Sequence, residues 1–232
     1  TNADQFLEMQ TDFGYFVLEN DIDMTGKTWD TRAYRGHSAK PFHLDGQGHI
    51  VKNLAVTRQS MFDIAGSDFS IKNVVFESPY LEDSSSWGFY IGFIAASCQY
   101  PITLENVGIV NADFKGTCDS DYVRIGGFLG SVYGESPTIK NCFVTGTFTA
   151  ESPTTSTAGG IYVEKGSASV NPVISYCYTK ITSNADTVYG IGPTGESTCY
   201  YESSSANTPG GGNAVTFAQL QNPATFAGWN IN

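Results

Sequence analysis

The chain has 232 residues, of which only 15% are charged, and it contains 25 glycines, 15 phenylalanines and 13 tyrosines. This composition is typical of short strands and tight turns, and it argues against amphipathic helices with charged outer faces. The formal net charge of −11 argues against nucleic acid or an anionic membrane as a partner, because both bind surfaces rich in lysine and arginine. No apolar run of about 18 residues occurs, so we expect no membrane span in this chain.

Residues 1–26 predict an N-terminal cap. Asn2 is followed three positions later by Gln5, which is the pattern of a capped helix start, and apolar residues continue at helical spacing as far as Phe13. The apolar run 14–18 then predicts a strand that ends in a polar turn. Such a cap would protect the first coil of a solenoid, which otherwise exposes apolar core and unpaired backbone groups.

A six-residue pattern built around asparagine recurs along the chain. Apolar residues lie two positions before the Asn, one after it and three after it, so the alternation of a strand slips by one at the Asn itself. Asn tolerates the left-handed backbone that a bend requires, and its amide can bond to an identical Asn one coil away. The copies are residues 51–56, 71–76, 104–109, 139–144 and 174–179, and the last has Tyr176 in place of Asn.

The spacing of these copies predicts one coil per repeat. Asn106, Asn141 and Tyr176 follow one another at intervals of 35 residues. The interval of 20 residues between Asn53 and Asn73 predicts a narrower coil at the N-terminal end.

A second motif, rich in glycine, alternates with the first and predicts another strand in each repeat. Its copies are residues 88–95, 125–130, 158–163 and, more loosely, 189–192. We expect a third strand after each Asn motif. Stacked aromatic residues would mark the third strand, namely Tyr80, Phe114 and Phe148.

Because equivalent strands of such a repeat stack on one another, we predict an all-β, single-stranded, right-handed parallel β-helix that forms one domain. The N-terminal cap would be followed by coils at 42–201 and a C-terminal cap at 213–232. A propeller is the alternative, but its blades need about four antiparallel strands in each ~40–45 residues. The regular motifs here supply two or three.

The C-terminal residues predict a short helix at 216–220, followed by two large apolar side chains. Phe226 and Trp229 are interpreted as a plug over the last coil rather than as a binding site. A plug of this kind would remove the apolar end of the core from water.

The five cysteines lack the C-x-x-C spacing of a zinc site, and their odd number does not predict a disulfide-rich scaffold. Cys142 and Cys177 occupy the same position of adjacent repeats, so we expect them to be buried one above the other at about 4.8 Å. Side chains stacked in parallel are wrongly directed for a disulfide. Cys98 and Cys118 flank the third repeat in predicted loops and could pair in an exported protein, which leaves Cys199 without a partner.

An enzyme on the same scaffold is the main alternative to a structural or binding role. Glycoside hydrolysis needs two carboxylates across the scissile bond, and a cation-assisted lyase needs clustered Asp with a nearby base. Most of the candidates lie beside Gly or at strand ends, where Asp is a common turn former. The carboxylates considered are Asp45, Asp63, Asp68 and Asp113, with Asp21, Asp23, Asp119 and Asp121 for a cation; the arginines are Arg32, Arg35, Arg58 and Arg124.

Three histidines lie six positions apart, which is not the spacing of a metal site. They are interpreted as turn and surface residues: His37, His43 and His49. No catalytic, cofactor or metal residue is therefore predicted, and the ligand-binding residues are left open. Exposed aromatic side chains could serve as platforms for sugars, although core packing is the default interpretation: Trp29, Trp87, Tyr90, Tyr122, Tyr133 and Tyr162. The segment 77–87 is predicted to be the most protruding loop.

Taken together, these motifs make the chain resemble bacterial cell-surface proteins with GLUG repeats, a filamentous-haemagglutinin-like or adhesin-like group. The matching segments are Asn20–Gly26 before a Trp, Leu44–Leu54, Gly126–Gly130, Ile139–Cys142 and Phe226–Trp229. The second motif lacks its paired glycine at residues 88–95. Tyr176 departs from the Asn motif.

The resemblance implies a β-helical stalk or adhesive module on the bacterial surface, outside the cell, as one part of a longer protein, with no shared catalytic residues and no cofactor. We therefore expect a non-catalytic surface module whose partners are surface glycans or proteins of the host or of other microbes. The alternative is a carbohydrate-binding or polysaccharide-degrading β-helix, a lyase or a hydrolase.

Overall fold

The computed structural model describes residues 1–31, 41–64, 68–166, 169–194 and 198–229. It is a β-solenoid of about five turns, and the paired strands in these residues run parallel. The predicted fold class is confirmed, while right-handed winding stays a prediction. None of the described helices is long and apolar enough to cross a membrane.

Three short helical elements lie near the two ends of the chain: α1 (Ala3–Glu8), α2 (Phe217–Leu220) and the 3₁₀ turn η2 (Pro223–Phe226). A second 3₁₀ turn, η1 (Ser203–Ser205), lies in the chain between the last two strands. The strands that form the coils are, in chain order, β1 (Gly14–Val17), β2 (Ile22–Asp23), β3 (Thr28–Asp30), β4 (Phe42–Asp45), β5 (Ile50–Lys52), β6 (Ala55–Thr57), β7 (Phe62–Ile64), β8 (Phe69–Glu77), β9 (Tyr80–Ser85), β10 (Phe89–Gly92), β11 (Ala95–Cys98), β12 (Ile102–Cys118), β13 (Val123–Gly126), β14 (Leu129–Val132), β15 (Thr138–Lys140), β16 (Phe143–Glu151), β17 (Ser156–Gly159), β18 (Tyr162–Lys165), β19 (Val173–Ser175), β20 (Tyr178–Ser183), β21 (Thr187–Tyr189), β22 (Tyr200–Glu202) and β23 (Asn213–Val215).

Each of the central coils crosses three sheets. The first sheet follows the path β1-β4-β8-β12-β16-β20-β22-β23, with the remaining short strands paired beside it. The second sheet is β10-β13-β17-β21, and the third is β7-β11-β14-β18. Like positions stack on like, so the core consists of columns: Ile71 pairs with Leu104, Leu104 with Ile139, and Ile139 with Ile174, and all four are buried. Burial of one such side chain contributes about 1.5–3 kcal/mol.

The predicted N-terminal helix forms, although it ends at Glu8, short of Phe13, and β1 and β2 pair with β4 and β5 as part of the first coil. The Asn2 side chain accepts from the Gln5 backbone while the Gln5 side chain accepts from the Asn2 backbone, which is a full capping box. Phe6 is buried against Trp29, with ring centroids 5.6 Å apart. The helix therefore closes the apolar end of the first coil.

The Asn motifs confirm the predicted bend but correct the register of the first copy. Asn73, Asn106, Asn141 and Tyr176 all have left-handed backbone, with φ of 54°, 56°, 53° and 55°. Asn53 is also left-handed, but its strand pairs Val51 with Phe76 and Lys52 with Glu77, which places Asn53 at a second corner with Ser78 and Asn111. The 20-residue interval is therefore not the length of a coil.

The glycine-rich motif is a corner between two sheets, and the single strand predicted there is wrong. In the copy at 125–130, β13 ends at Gly126 and β14 begins at Leu129, and the two strands belong to different sheets. A Cβ on Gly126 would overlap the carbonyl oxygen of Leu129, and one on Gly127 would overlap that of Gly160 in the next coil. Only glycine permits so close an approach of backbone to backbone.

The aromatic stack after the Asn motif is confirmed for Phe114 and Phe148, whose ring centroids are 5.2 Å apart, but not for Tyr80. Phe114 pairs with Leu81, so Leu81 is the buried residue of the earlier coil and Tyr80 points outward. The inward stack continues from Phe114 to Phe93, at 5.6 Å.

All five cysteines are buried and none forms a disulfide, so Cys98 and Cys118 do not pair. They lie in β11 and at the end of β12, in different sheets, rather than in loops. Cys142 and Cys177 stack as predicted, and Cys199 continues their column, because Tyr178 pairs with Tyr200. Burial raises the pKa of the Cys177 thiol well above its usual value and keeps it unreactive.

The C-terminal residues form the predicted helix α2, but Phe226 and Trp229 do not plug the core. Neither is buried, and both rings lie against outward-facing tyrosines of the first sheet. The centroid distances are 6.0 Å from Phe226 to Tyr178 and 5.5 Å from Trp229 to Tyr200. Residues 216–229, hereafter the C-terminal segment, therefore fold back along the side of the solenoid.

Candidate functional site

The corner asparagines form a hydrogen-bonded ladder along the solenoid axis. Asn141 Nδ2 donates to Asn106 Oδ1 at 3.2 Å, and Asn106 Nδ2 donates to Asn73 Oδ1 at 2.8 Å. Asn73 Nδ2 donates to Asp45 Oδ1 at 3.0 Å, so a carboxylate ends the ladder. An amide bonded on both sides spends one of its two N–H donors and one of its two acceptor sites in the ladder, which leaves the others for a ligand or water.

A cavity of about 710 Å³ runs along the outside of this asparagine ladder and is called here the ladder groove. Its volume lies in the usual range of ligand pockets, ~300–1,000 Å³. The coils form its floor and the C-terminal segment forms its opposite wall. The lining includes the amides Asn73, Asn106 and Asn141, the rings Phe143, Tyr176, Tyr178, Phe217, Phe226 and Trp229, and the charged groups Glu105, Lys140 and Lys180.

Aromatic rings are concentrated at the end of the ladder groove that lies nearer the C-terminal segment. Phe143 and Tyr178 stack at 5.2 Å with an interplanar angle of 5°. Tyr176 lies 5.8 Å from Trp229. Phe143 covers Gly108 so closely that a Cβ on that glycine would overlap the ring. The groove thus offers amides along one edge and aromatic faces at one end.

Of the charged side chains that line the ladder groove, Glu105 forms an ion pair, whereas Lys140 and Lys180 form none with a described residue. Glu105 is paired with Lys72, with Nζ and Oε2 3.3 Å apart. Lys140 stands next to Glu105 in register but has no carboxylate within 4.0 Å among the described residues. Lys180 Nζ lies 3.8 Å from the centroid of the Phe217 ring, and it too lacks a described ion pair. Two exposed lysines therefore line the groove without an ion pair to a described carboxylate, although Lys140 is the register neighbour of Glu105.

Comparison with known families finds a match in the stretch that contains the Asn141 corner. Residues 121–149 match the family model of the GLUG motif. The chain carries a GLUG motif. No curated protein and no solved structure matches the chain. The GLUG motif spans β13, β14, β15 and most of β16, so it covers the glycine corner and the asparagine corner of one coil, and the resemblance to GLUG-repeat proteins is confirmed there.

Three tyrosines that the sequence offered as sugar platforms come together around Arg124 of the GLUG motif. Its guanidinium lies 4.4 Å from the centroid of the Tyr122 ring and pairs with Glu164. Tyr90 Oη donates to Glu164 at 3.1 Å and lies 3.4 Å from Tyr133 Oη. Burial raises the pKa of the Tyr90 hydroxyl. These groups satisfy one another, so the cluster joins three coils rather than presenting a free platform.

Two other candidates, His43 and Asp68, meet on the outer face of the first sheet. His43 Nε2 lies 3.1 Å from Asp68 Oδ1, and its Nδ1 lies 2.8 Å from Ser70 Oγ. The ring stacks on Tyr15 at 4.3 Å. Ser70 is the register partner of His43 within two paired strands, a position unlike the exposed strand-to-helix turn that presents a nucleophilic serine. The group fastens two coils together.

The remaining aromatic candidates divide into buried and exposed residues. Trp29 and Tyr162 are fully buried core residues, whereas Trp87 is 78% exposed. The predicted loop 77–87 is mostly strand β9, so it protrudes less than expected. Arg32, Arg35, His37 and the side chain of Asp63 lie outside the described residues. Within the described ranges, no group of three His, Cys, Asp or Glu side chains could hold a metal ion.

Asp21 and Asp23, considered for a cation, are hydrogen-bonded within the first two coils. Asp21 accepts from the Ile50 backbone at 3.0 Å. Asp23 accepts from Asn53 Nδ2 at 3.0 Å and from the Thr25 backbone at 2.9 Å. The bond from Asn53, followed by those from Thr25, lowers the pKa of Asp23, because donors favour the charged form.

The lowered pKa of Asp23 predicts that the destabilisation caused by Asp23→Asn depends on pH. Since the pKa of Asp23 is lower in the folded chain, its stabilising contribution is present above the unfolded pKa and is lost as the pH falls below about 4. The melting temperature of Asp23→Asn should lie below that of the wild type near neutral pH, and the gap should close in acid. Thermal unfolding followed by circular dichroism at several pH values measures it. A gap that stays constant would contradict the assignment.

Proposed function

We propose that the chain is a non-catalytic module of a bacterial cell-surface protein, an extracellular stalk or adhesive β-helix that mediates attachment or display. The observation that carries this proposal is the asparagine ladder, which runs unbroken through successive coils from Asp45 to Asn141. Each ladder bond contributes about 0.5–1.5 kcal/mol. Hydrogen bonds that join successive coils along the axis suit a rod, which would hold a contact surface away from the point of attachment. The GLUG motif supports the same proposal.

The use of the polar side chains also supports a scaffold role. Asp45 ends the ladder, Asp21 and Asp23 bond to neighbouring corners, and Asp68 holds His43. Carboxylates that are bonded to the frame in the resting protein are poorly placed to act as the acid and nucleophile of a glycosidase. A coil adds about 4.8 Å along the axis, so the reach of a longer surface protein would grow with the number of coils.

The test couples two measurements on the intact chain. Beads coated with the protein should be retained on surfaces that display bacterial or host glycans and proteins. Acidic and neutral polysaccharides incubated with the same preparation should yield no new reducing ends and no unsaturated products. Retention on none of these surfaces would contradict the attachment function. Turnover that is abolished by Glu105→Gln would instead favour the alternative, a polysaccharide lyase or hydrolase.

A further inference from the structure

We propose that the ladder groove binds an acidic oligosaccharide, laid along the solenoid axis. The proposal rests on the attachment function proposed above and names the class of ligand that this surface would recognise. Three features of the groove carry it: repeated amides, aromatic faces and uncompensated lysines.

The amides give the groove a repeat that fits a linear polar chain. Asn73, Asn106 and Asn141 stand on successive coils, about 4.8 Å apart along the axis, and the ladder bonds hold their orientation. Asn73 and Asn106, bonded on both sides, each keep one N–H and one acceptor site outside the ladder, and Asn141 keeps at least as much. A chain of sugar units, whose hydroxyl groups both donate and accept, can meet one amide per coil without moving the floor.

The aromatic end supplies the apolar contact that a pyranose ring needs. Tyr176 and Trp229 meet edge to face at this end of the groove, with ring centroids 5.8 Å apart and an interplanar angle of 72°, and neither is buried. Such rings combine a broad apolar face with a polar edge, which matches a sugar with C–H groups on its faces and hydroxyls around its rim. The ligand would place one unit at these rings and extend along the amides.

The lysines select for negative charge. The chain carries 23 acidic and 12 basic residues, yet Lys140 and Lys180 face the groove without a described carboxylate partner. A carboxylate or sulfate on the sugar would supply the missing charge. Electrostatic attraction of this kind weakens with salt, since the Debye length falls to about 8 Å at 0.15 M.

The opposite wall is built separately from the coils. The backbone hydrogen bonds of the C-terminal segment run from residue to residue within it, such as those from Leu220 N to Thr216 O and from Trp229 N to Phe226 O. Its contacts to the coils are made by rings and by Lys180 over Phe217. The rings of the C-terminal segment pack on those of the coils, and the ladder groove is the cavity that remains between this wall and the asparagine ladder.

The experiment measures binding of short uronate-containing, sulfated and neutral oligosaccharides by calorimetry at low and high salt. The two acidic arms identify the anion. We expect an acidic ligand to bind, Lys140→Gln and Lys180→Gln each to weaken it by about two- to fivefold, and Trp229→Ala to weaken it by about tenfold. Trp87→Ala, an exposed tryptophan outside the groove, and Lys115→Gln, which pairs with Glu82, are the matched controls. Melting temperatures close to that of the wild type confirm that the variants fold.

Equal binding of neutral and acidic oligosaccharides would overturn the charge assignment. Wild-type affinity in Trp229→Ala, or equal losses in Trp87→Ala, would overturn the location. If no oligosaccharide binds while coated beads still adhere, the groove proposal fails and the attachment function stands. If the beads fail to adhere as well, the attachment function fails with it.

Discussion

Phe114→Ala is expected to lower the free energy of unfolding by about 3–5 kcal/mol, the usual cost of truncating a buried phenylalanine. Phe114 is fully buried and stacks on Phe148 at 5.2 Å and on Phe93 at 5.6 Å. Its removal leaves a cavity between neighbouring coils, and because each coil packs on the next, the gap interrupts the central column of the solenoid. Urea unfolding followed by circular dichroism gives the midpoint and slope from which the change is calculated.

Two control variants make the Phe114 result specific. Phe114→Leu keeps most of the apolar volume and should cost less than Phe114→Ala. Tyr80→Ala tests the register, because the structure places Leu81, and not Tyr80, in the column with Phe114. Tyr80 is 41% exposed, so its loss should change stability by about 0.5 kcal/mol at most. Equal losses in Tyr80→Ala and Phe114→Ala would mean that the inward and outward faces are exchanged.

The coil and its left-handed corner could be predicted from sequence, because both are properties of a repeating local pattern. The assignment of Asn53 to the wrong corner has a physical reason. Two of the corners of a coil have positive φ, and Asn can occupy either, so the residue type indicates a bend without saying which bend it is. The glycine motif was assigned to one strand for a similar reason. Its apolar residues fit the pattern of a strand, but Gly126 and Gly127 make the close backbone contacts of a corner.

The candidate site was harder to predict, since it depends on how coils stack and on where the chain ends pack. Arg124 and Glu164 meet because β13 and β18 belong to neighbouring sheets of successive coils. The coil period offered a usable signal, since Tyr90 and Arg124 are 34 positions apart and pair in register. The sequence contains no comparable signal for the opposite wall of the ladder groove, which the C-terminal segment forms. Phe226 and Trp229 look equally suited to a core plug and to an outer wall, and only tertiary packing decides between them.

Asn73→Ala is expected to destabilise the chain by about 2–3 kcal/mol, from two separable causes. Alanine at a φ of 54° pays about 1–2 kcal/mol for the left-handed backbone. The loss of the bonds to Asp45 and Asn106 adds about 0.5–1.5 kcal/mol each, reduced here because the ladder is only partly shielded from water.

Asn73→Gly separates the two causes, because glycine accepts positive φ but cannot make the ladder bonds. We expect Asn73→Gly to lie between the wild type and Asn73→Ala in urea unfolding. Lys72→Ala, at the preceding exposed position, removes only a surface ion pair and should cost about 0–1 kcal/mol. If the alanine and glycine variants are equally stable, backbone strain contributes nothing and the ladder bonds alone fix the corner. If Asn73→Ala is as stable as the wild type, neither the left-handed corner nor the ladder stabilises the solenoid, and the support for a rod tied along its axis is lost.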